Sequence, residues 1–461
     1  MSAGAAGFGA PLVADASRSH HRIDLTIHSD QRLGAIPNDF MGLGYEISSV
    51  ATPGLLSASN RVYVDLVRRL GTRGVIRIGG NTSDYSSFAV HAAAVSAPKH
   101  TVINEAGLRD LASFLDATSW SLIWGLNLGN GSVDDSVAEA RAVARAVGDR
   151  LLALEIGNEP DLYVHEGHRP HYSYEQYLAE YRRYKSAVRA ALPNVGFAGP
   201  DAAGATDWVE RFATDEGQDL RLLTHHYYRE GQNSSSTADK LLRPDPKLAA
   251  MLDRMRTASK SSGVPYRICE TNSFSGGGRP GVSDTFAAAL WALDYLCVLA
   301  WRNADGVNIE TGINQLDFIS SYSPIGDDQH GHYRAAPEYY GMLGFAEGCR
   351  GERVAVTYDA GAVNLAAYAT VDTDGTSTVI VNKDEGTDAD LRIAVKSQAE
   401  SARVLRLSAP SLDSKTGVTL GGAVVEQDGQ WRGRSENARV IDGTCRVHVP
   451  AASAAIVRLE G

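Results

Sequence analysis

Two glutamates end short apolar segments of the chain and could act together on one bond. Glu159 closes the segment Leu-Ala-Leu-Glu-Ile-Gly-Asn-Glu-Pro (152–160), where strand-like residues give way to glycine and proline. Glu270 closes a similar segment, Pro-Tyr-Arg-Ile-Cys-Glu (265–270). Residues at the carboxyl ends of parallel strands face a common cleft. A facing pair of carboxyl groups is what glycoside hydrolysis requires, one as acid and one as nucleophile or base.

The elements that must position these two residues alternate between strand and helix. Eight candidate strands cover residues 40–47, 74–78, 121–128, 152–156, 195–198, 222–227, 266–269 and 306–309. Amphipathic helical patterns separate them, which predicts an α/β fold of the (β/α)8 or TIM-barrel type. After residue 346 the helical period ends, and short β-branched segments between turn residues predict a β-sandwich.

The same patterns divide the chain into domains. We expect a leader or disordered segment over residues 1–19 and a single strand over residues 20–36. The catalytic barrel is predicted over residues 37–345 and the β-sandwich over residues 346–461. The segment Arg-Ile-Asp-Leu-Thr-Ile (22–27) alternates polar and apolar residues as a half-buried strand does. We therefore expect this N-terminal strand to complete the C-terminal β-sandwich.

Composition indicates which binding partners and which cellular location to expect. The 461 residues carry a net charge of −11, which argues against nucleic-acid and anionic-membrane binding because both need a basic surface. The four cysteines form no metal-binding spacing, so neither a metal nor a cofactor is expected. We expect a monomer. A secreted or periplasmic location is expected, although residues 1–19 lack the basic and apolar regions of a signal peptide.

Further polar residues lie at the predicted strand ends and could bind a polyhydroxylated ligand. They are Tyr45, Glu46, the segment 79–84, Asn127, Asn130, Asn158, the segment 225–228 and Glu310. The adjacent His225 and His226 are poor joint metal ligands because neighbouring strand residues point to opposite faces. The glycine run Gly276–Gly278 lacks the spacing of a nucleotide-binding loop.

Taken together, the motifs resemble a known enzyme family. Gly-Asn-Glu-Pro (157–160) with Glu270 is similar to the signature of clan A glycoside hydrolases, which are retaining (β/α)8 barrels. Arg-Ile-Gly-Gly-Asn-Thr-Ser-Asp (77–84), Thr-His-His-Tyr-Tyr (224–228) and Glu-Thr-Asn-Ser (270–273) resemble glycoside hydrolase family 79 more narrowly. That family contains β-glucuronidases and heparanases.

The resemblance implies roles for individual residues. Glu159 would be the acid/base and Glu270 the nucleophile. Asn158 would bind the sugar 2-hydroxyl group, and Tyr227 would donate a hydrogen bond to the nucleophile. Among the further substrate-binding residues, Glu46 and Asn81 would line the glucuronate subsite, and backbone amides of Gly276 and Gly277 would bind the sugar carboxylate. Some relatives have Tyr where this chain has Ser275, and the role of Arg279 stays open.

The resemblance predicts a retaining exo-β-glucuronidase that releases terminal glucuronic acid from glycosides, glycans or proteoglycans. The alternative is a heparanase-like endo-β-glucuronidase, which would need an open cleft with basic residues. A glycosidase of the same fold with a different substrate specificity is a third hypothesis. A carbohydrate-binding protein without activity is a fourth, but loss of either Glu159 or Glu270 would be its sign, and both are present.

Overall fold

The computed structural model of the protein describes residues 19–90, 93–97, 100–313, 320–328, 330–395 and 399–460. The predicted leader, apart from Ser19, lies outside the described residues. No helix in these ranges is both long and apolar enough to cross a membrane.

The strands are numbered along the chain. They are β1 (Ser19–Ala35), β2 (Gly42–Glu46), β3 (Val75–Gly79), β4 (Ser86–Phe88), β5 (Val95–Ala97), β6 (His100–Ile103), β7 (Ser121–Leu126), β8 (Leu151–Ile156), β9 (Ala198–Ala202), β10 (Leu222–Tyr228), β11 (Tyr266–Asn272), β12 (Gly306–Glu310), β13 (Ile325–Asp327), β14 (Tyr333–Ala335), β15 (Glu352–Tyr358), β16 (Leu365–Asp372), β17 (Gly375–Asn382), β18 (Thr387–Val395), β19 (Ser401–Ser408), β20 (Thr419–Leu420), β21 (Glu436–Ile441), β22 (Thr444–Val449) and β23 (Ser453–Glu460).

The α-helices are numbered in the same way. They are α1 (Arg61–Leu70), α2 (Glu105–Thr118), α3 (Val133–Val147), α4 (Tyr163–Glu166), α5 (Tyr174–Ala191), α6 (Thr206–Glu216), α7 (Ala238–Leu242), α8 (Pro246–Ser262), α9 (Phe286–Trp301) and α10 (Pro337–Gly348).

Eight parallel strands form the barrel, in the order β8-β7-β3-β2-β12-β11-β10-β9. The two end strands approach each other through a parallel bridge between Leu154 and Phe197, so the barrel is nearly closed. Each predicted strand has its counterpart here, and the predicted barrel fold is confirmed. Because all eight strands run the same way, their carboxyl ends lie at one rim.

The C-terminal domain is one ten-stranded sheet in the order β20-β19-β21-β22-β18-β1-β15-β16-β17-β23. An additional pairing of β19 with β23 folds the sheet back on itself. The strand β1 pairs in parallel with β18 and antiparallel with β15, so the N-terminus completes this domain as predicted. The core inside the sheet is apolar and takes residues from across it, including Leu25, Val354, Leu391 and Val457.

Helix α9 joins the barrel to the β domain. Its sequence is apolar nearly all round, and 13 of its 16 residues are buried. One side packs against α10, and Asp294 accepts hydrogen bonds from Tyr368 and Lys383 of the β domain. A helix that is apolar on all faces needs partners on all faces. The β domain therefore supports the barrel.

Candidate active site

The two predicted catalytic glutamates face each other at the carboxyl-end rim of the barrel. Glu159 follows β8 in a left-handed backbone conformation (φ 48°), and Glu270 lies in β11. Their side chains are only 13% and 12% exposed. One carboxylate oxygen of each and a ring nitrogen of His226 all lie within 4.8 Å of one another. This spacing is close to the ~5–5.5 Å separation of carboxyl groups in retaining glycosidases and shorter than the ~6.5–9.5 Å of inverting ones.

Two donors hold the carboxylate of Glu270. Nη1 of Arg77 donates to its Oε2 at 2.7 Å, and the hydroxyl group of Tyr228 donates to its Oε1 at 2.9 Å. The guanidinium of Arg77 is fully buried, so its charge is poorly screened by water. The two hydrogen bonds occupy one oxygen each and hold the carboxylate in a fixed orientation, as a nucleophile needs.

The prediction that Tyr227 contacts the nucleophile is wrong. Its hydroxyl group donates instead to Oδ2 of Asp245 at 2.7 Å, and its ring stacks on Tyr295. Successive side chains of a strand point to opposite faces. In β10 this alternation turns His226 and Tyr228 toward the barrel interior, while His225 and Tyr227 face the surrounding helices.

Arg77 is the centre of a buried ionic network. Beyond Glu270, it donates to Oδ2 of Asp201 at 2.5 Å, to Oδ1 of Asn158 at 2.8 Å and to Oε2 of Glu155 at 3.2 Å. Burial alone would raise the pKa of Asp201, but Arg77 and His226 lower it. Burial and the charge of Asp201 raise the pKa of Glu155 to about 7. Asp201 is therefore the charged partner of Arg77, and Glu155 keeps its proton to a higher pH than an ordinary glutamate does.

Glu159 is held by His226. Nδ1 of the histidine lies 2.8 Å from Oε1 of Glu159, and its Nε2 lies 2.7 Å from Oδ1 of Asp201. Burial opposes the charged imidazole, but Asp201 and the neighbouring glutamates raise the pKa of His226 well above its usual value. Burial raises the pKa of Glu159, the contact with His226 lowers it, and the net result stays above the ordinary value. A raised pKa suits the general acid.

Three predicted substrate-binding residues lie in contact with one another near the two glutamates. Nδ2 of Asn158 donates to Oδ1 of Asn81 at 3.1 Å, and the carboxylate of Glu46 accepts from the backbone amides of Asn81 and Thr82. Burial and the charge of Glu270 raise the pKa of Glu46 to about 7. The structure thus brings Asn158, Asn81 and Glu46 together in a wall of hydrogen-bonding groups beside Glu270.

The glycine run follows β11, the strand that carries Glu270. Gly276, Gly277 and Gly278 have φ values of 75°, 87° and 81°, a conformation that favours glycine. A Cβ atom placed on Gly278 would come within 3.0 Å of Tyr322, whose ring stacks on Tyr228. The loop is therefore linked to the nucleophile through two aromatic rings. Arg279 follows it, half-buried at the edge of this loop.

The structure places Arg77 and Asp201 in the site, although the sequence indicated no role for them. His226 and Tyr228 were predicted only as strand-end residues that could bind a ligand, and not as partners of the two glutamates. Arg77 had one available signal, since it is a charged residue within the apolar strand Val-Ile-Arg-Ile-Gly. Asp201, like Glu159, has a positive φ (61°), which sequence does not reveal.

The cluster of Glu159, His226 and Glu270 has the atom types of a metal site. Both ring nitrogens of His226 are used in hydrogen bonds to carboxylates, and a guanidinium already contacts Glu270. Each of the two glutamates thus already has a cationic partner. His225 turns away from the cluster, and burial lowers its pKa to about 4.

Comparisons with known proteins agree with the sequence motifs. Residues 360–456 match the family model "Glycosyl hydrolase family 79 C-terminal beta domain". A β-glucuronidase of Aspergillus niger is 27% identical over 320 residues, which are 61% of this chain and 58% of that protein. A heparanase of Gallus gallus is 25% identical over 255 residues, 50% of this chain and 47% of that protein. The aligned part thus spans less than two thirds of either relative.

One solved structure supports the architecture. The 4-O-α-L-rhamnosyl-β-D-glucuronidase of Fusarium oxysporum 12S superposes with a TM-score of 0.78, covering 94% of this chain and 100% of that one. At 17% identity this likeness concerns the fold alone.

Proposed function

We propose that this chain, which the C-terminal match and its relatives assign to glycoside hydrolase family 79, is a retaining exo-β-glucuronidase. The observation that carries the proposal is the pair of carboxylates within 4.8 Å, one bound by Arg77 and Tyr228 and the other by His226. The different partners separate the two roles. A guanidinium and a hydroxyl group hold Glu270, whereas burial keeps the pKa of Glu159 above its ordinary value, which suits the acid.

In the first step, a carboxylate oxygen of Glu270 attacks the anomeric carbon while Glu159 protonates the departing glycosidic oxygen. A covalent glycosyl ester forms on Glu270, and the aglycone leaves. In the second step, Glu159 removes a proton from water, which attacks the same carbon and releases Glu270. His226 orients Glu159 in both steps, since its other nitrogen is fixed by Asp201.

A glucuronide substrate is supported by the relatives named β-glucuronidase and by the glycine run that follows the nucleophile strand. Backbone amides of Gly276 and Gly277 would bind the sugar carboxylate as an anion nest. Asn158 would bind the 2-hydroxyl group, with Asn81 and Glu46 beside it. No cofactor takes part in these steps.

The second candidate is an endo-acting, heparanase-like enzyme. The relative named heparanase favours it, but at lower coverage than the β-glucuronidase. The two candidates differ in the products they give from a polymer. An exo-enzyme releases monomeric glucuronic acid, whereas an endo-enzyme lowers the chain length without releasing monomer.

The test uses an aryl β-glucuronide, the matched aryl β-glucoside and a heparan-type polymer. We expect hydrolysis of the glucuronide, and proton NMR should show the β-anomer of glucuronic acid forming first. Initial formation of the α-anomer would overturn the retaining mechanism. Equal rates on glucoside and glucuronide would overturn the substrate class. Shortened polymer chains without released monomer would favour the endo-acting enzyme over the exo-acting one.

A further inference from the structure

A row of arginines crosses the outer face of the β domain. Arg392 of β18 lies directly opposite Arg446 of β22 in their antiparallel register. The next pair of strands, β21 and β22, aligns Val440 with Cys445, and continuing that register by one residue places Arg439 beside Arg446. We name Arg392, Arg446 and Arg439 the arginine row. All three are exposed, while their strand neighbours Ile393 and Cys445 are buried.

Like charges directly opposite each other on a sheet are unfavourable. Here the repulsion is only partly relieved. Nη1 of Arg392 lies 3.5 Å from Oδ1 of Asp24, but both side chains are more than half exposed, so water screens this pair. Among the described residues, Arg439 and Arg446 have no carboxylate within salt-bridge distance. A multivalent anion lying across the row would remove the repulsion.

The arginine row lies in a groove of about 570 Å³. Arg406 of β19 also lines it and is paired with Glu436 at 2.9 Å, and His448 and Asp442 belong to the same lining. The neighbouring strands of a sheet are ~4.7–4.9 Å apart, so the row presents cationic groups at a regular short spacing. The groove is concave and basic although the whole chain is acidic.

We propose that this groove binds an acidic polysaccharide, with its carboxylate or sulfate groups on the arginine row. Guanidinium groups bind both anions through paired hydrogen bonds. The choice of a polysaccharide rests on the proposed function, because a glycosidase with a separate binding groove gains local substrate concentration. Nucleic acid fits less well, since the described residues that line the groove include no Phe, Tyr or Trp for base stacking.

The arginine row is built from β18, β21 and β22, whereas the two catalytic glutamates belong to the barrel. Binding and catalysis can therefore be separated by mutation. The test variant is the triple substitution Arg392→Gln, Arg439→Gln, Arg446→Gln, with Arg446→Gln alone as the milder form. The matched control is Arg141→Gln with Arg145→Gln, two exposed arginines of α3.

Binding is measured by fluorescence anisotropy at low salt, with heparin and with polygalacturonate as labelled probes and dextran as the neutral control. The two acidic probes separate sulfate from carboxylate recognition, and neither requires cleavage of a β-glucuronide. We expect binding of at least one acidic probe that weakens as salt rises. The triple variant should raise Kd at least about tenfold, since each lost charge-assisted hydrogen bond is substantial. The control variant should bind like the wild type.

Hydrolysis of the aryl β-glucuronide should be unchanged in the triple variant, which shows that the barrel is intact. Binding of neither acidic probe by the wild type, or equal binding by the triple variant, would overturn the proposal. A single-stranded DNA oligonucleotide that binds as tightly as heparin, through the same arginines, would overturn the assignment to polysaccharide. Salt-sensitive binding without any aryl glucuronide hydrolysis would support the groove while contradicting the proposed function.

Discussion

The hydroxyl group of Tyr228 donates a hydrogen bond of 2.9 Å to Oε1 of Glu270. Its neighbour Tyr227 has the same side chain but donates to Asp245 on the other face of the strand. The chain therefore contains a matched pair of tyrosines, one inside the candidate site and one outside it.

Tyr228→Phe should lower kcat/KM on an aryl β-glucuronide by about 10- to 100-fold, because a hydrogen bond to a charged group contributes ~1.5–3 kcal/mol. Tyr227→Phe is the control and should leave kcat/KM within about twofold, while lowering the free energy of unfolding by ~1–3 kcal/mol. Steady-state kinetics and urea denaturation measure the two effects. A large fall in kcat/KM for Tyr227→Phe with little change for Tyr228→Phe would mean that Tyr227 is the tyrosine that supports the nucleophile.

The assignment of the two glutamates predicts different rescue behaviour. Glu270→Ala should lose turnover on every glucuronide, since no covalent intermediate can form. Glu159→Ala should retain the first step with a good leaving group, which needs no protonation, and added azide should restore turnover. The azide product should keep the β-configuration. Azide rescue that gives the β-product from Glu270→Ala and the inverted α-product from Glu159→Ala would mean that the roles are exchanged.

The sequence located both glutamates because each lies at or just beyond the carboxyl-end part of a recognisable strand. The sheet brings these ends together whatever lies between them in the chain. The sequence could not show which of Tyr227 and Tyr228 contacts the nucleophile. The pairing of β10 with β11 shifts by one residue between His225 and His226. Side chains alternate between the two faces of the strand, and the sequence does not reveal which of the two sets faces the barrel interior.

The ionic network around Arg77 could not be predicted from the sequence for a different reason. Arg77 lies in β3, while its partners Glu155, Asp201 and Glu270 belong to β8, β9 and β11. Only the closed barrel brings these strands within reach of one side chain. Hydrophobic periodicity reports which face of a strand is buried, but it carries no information on which buried charges meet.

The contact between His226 and Glu159 predicts a pH effect. Glu159 must be protonated in the first step, so activity is present below its pKa and lost as pH rises through it. The charged His226 lowers the pKa of Glu159, so His226→Gln should raise that pKa. The basic limb of the kcat/KM profile should then move to higher pH for a substrate with a poor leaving group.

A substrate with a good leaving group supplies the control for this pH effect, because its first step does not need the acid. For that substrate, His226→Gln should lower the rate without moving the basic limb. A basic limb that moves equally for both substrates would mean that another group titrates there. An unmoved limb for the poor leaving group would contradict the assignment of Glu159 as the acid.

Selectivity for the uronic acid should depend on the glycine run that follows the nucleophile strand. Gly277 has a φ of 87°, and its carbonyl oxygen accepts a hydrogen bond from the backbone amide of Ser321. A β-branched residue is strained at this φ and blocks close approach to the backbone. Gly277→Val should therefore damage aryl glucuronide hydrolysis strongly, and Arg279→Ala should matter less if backbone amides are the main carboxylate receptor.

The wild type should favour the aryl glucuronide over the matched glucoside by on the order of 10²-fold or more in kcat/KM, since charge-assisted hydrogen bonds contribute ~1.5–3 kcal/mol each. Gly277→Val should reduce this ratio rather than lower both rates alike, because the glucoside has no carboxylate to lose. An equal fall on both substrates would show that the substitution only distorts the site. A loss of selectivity in Arg279→Ala, with Gly277→Val still selective, would move the carboxylate receptor from the backbone amides to the guanidinium.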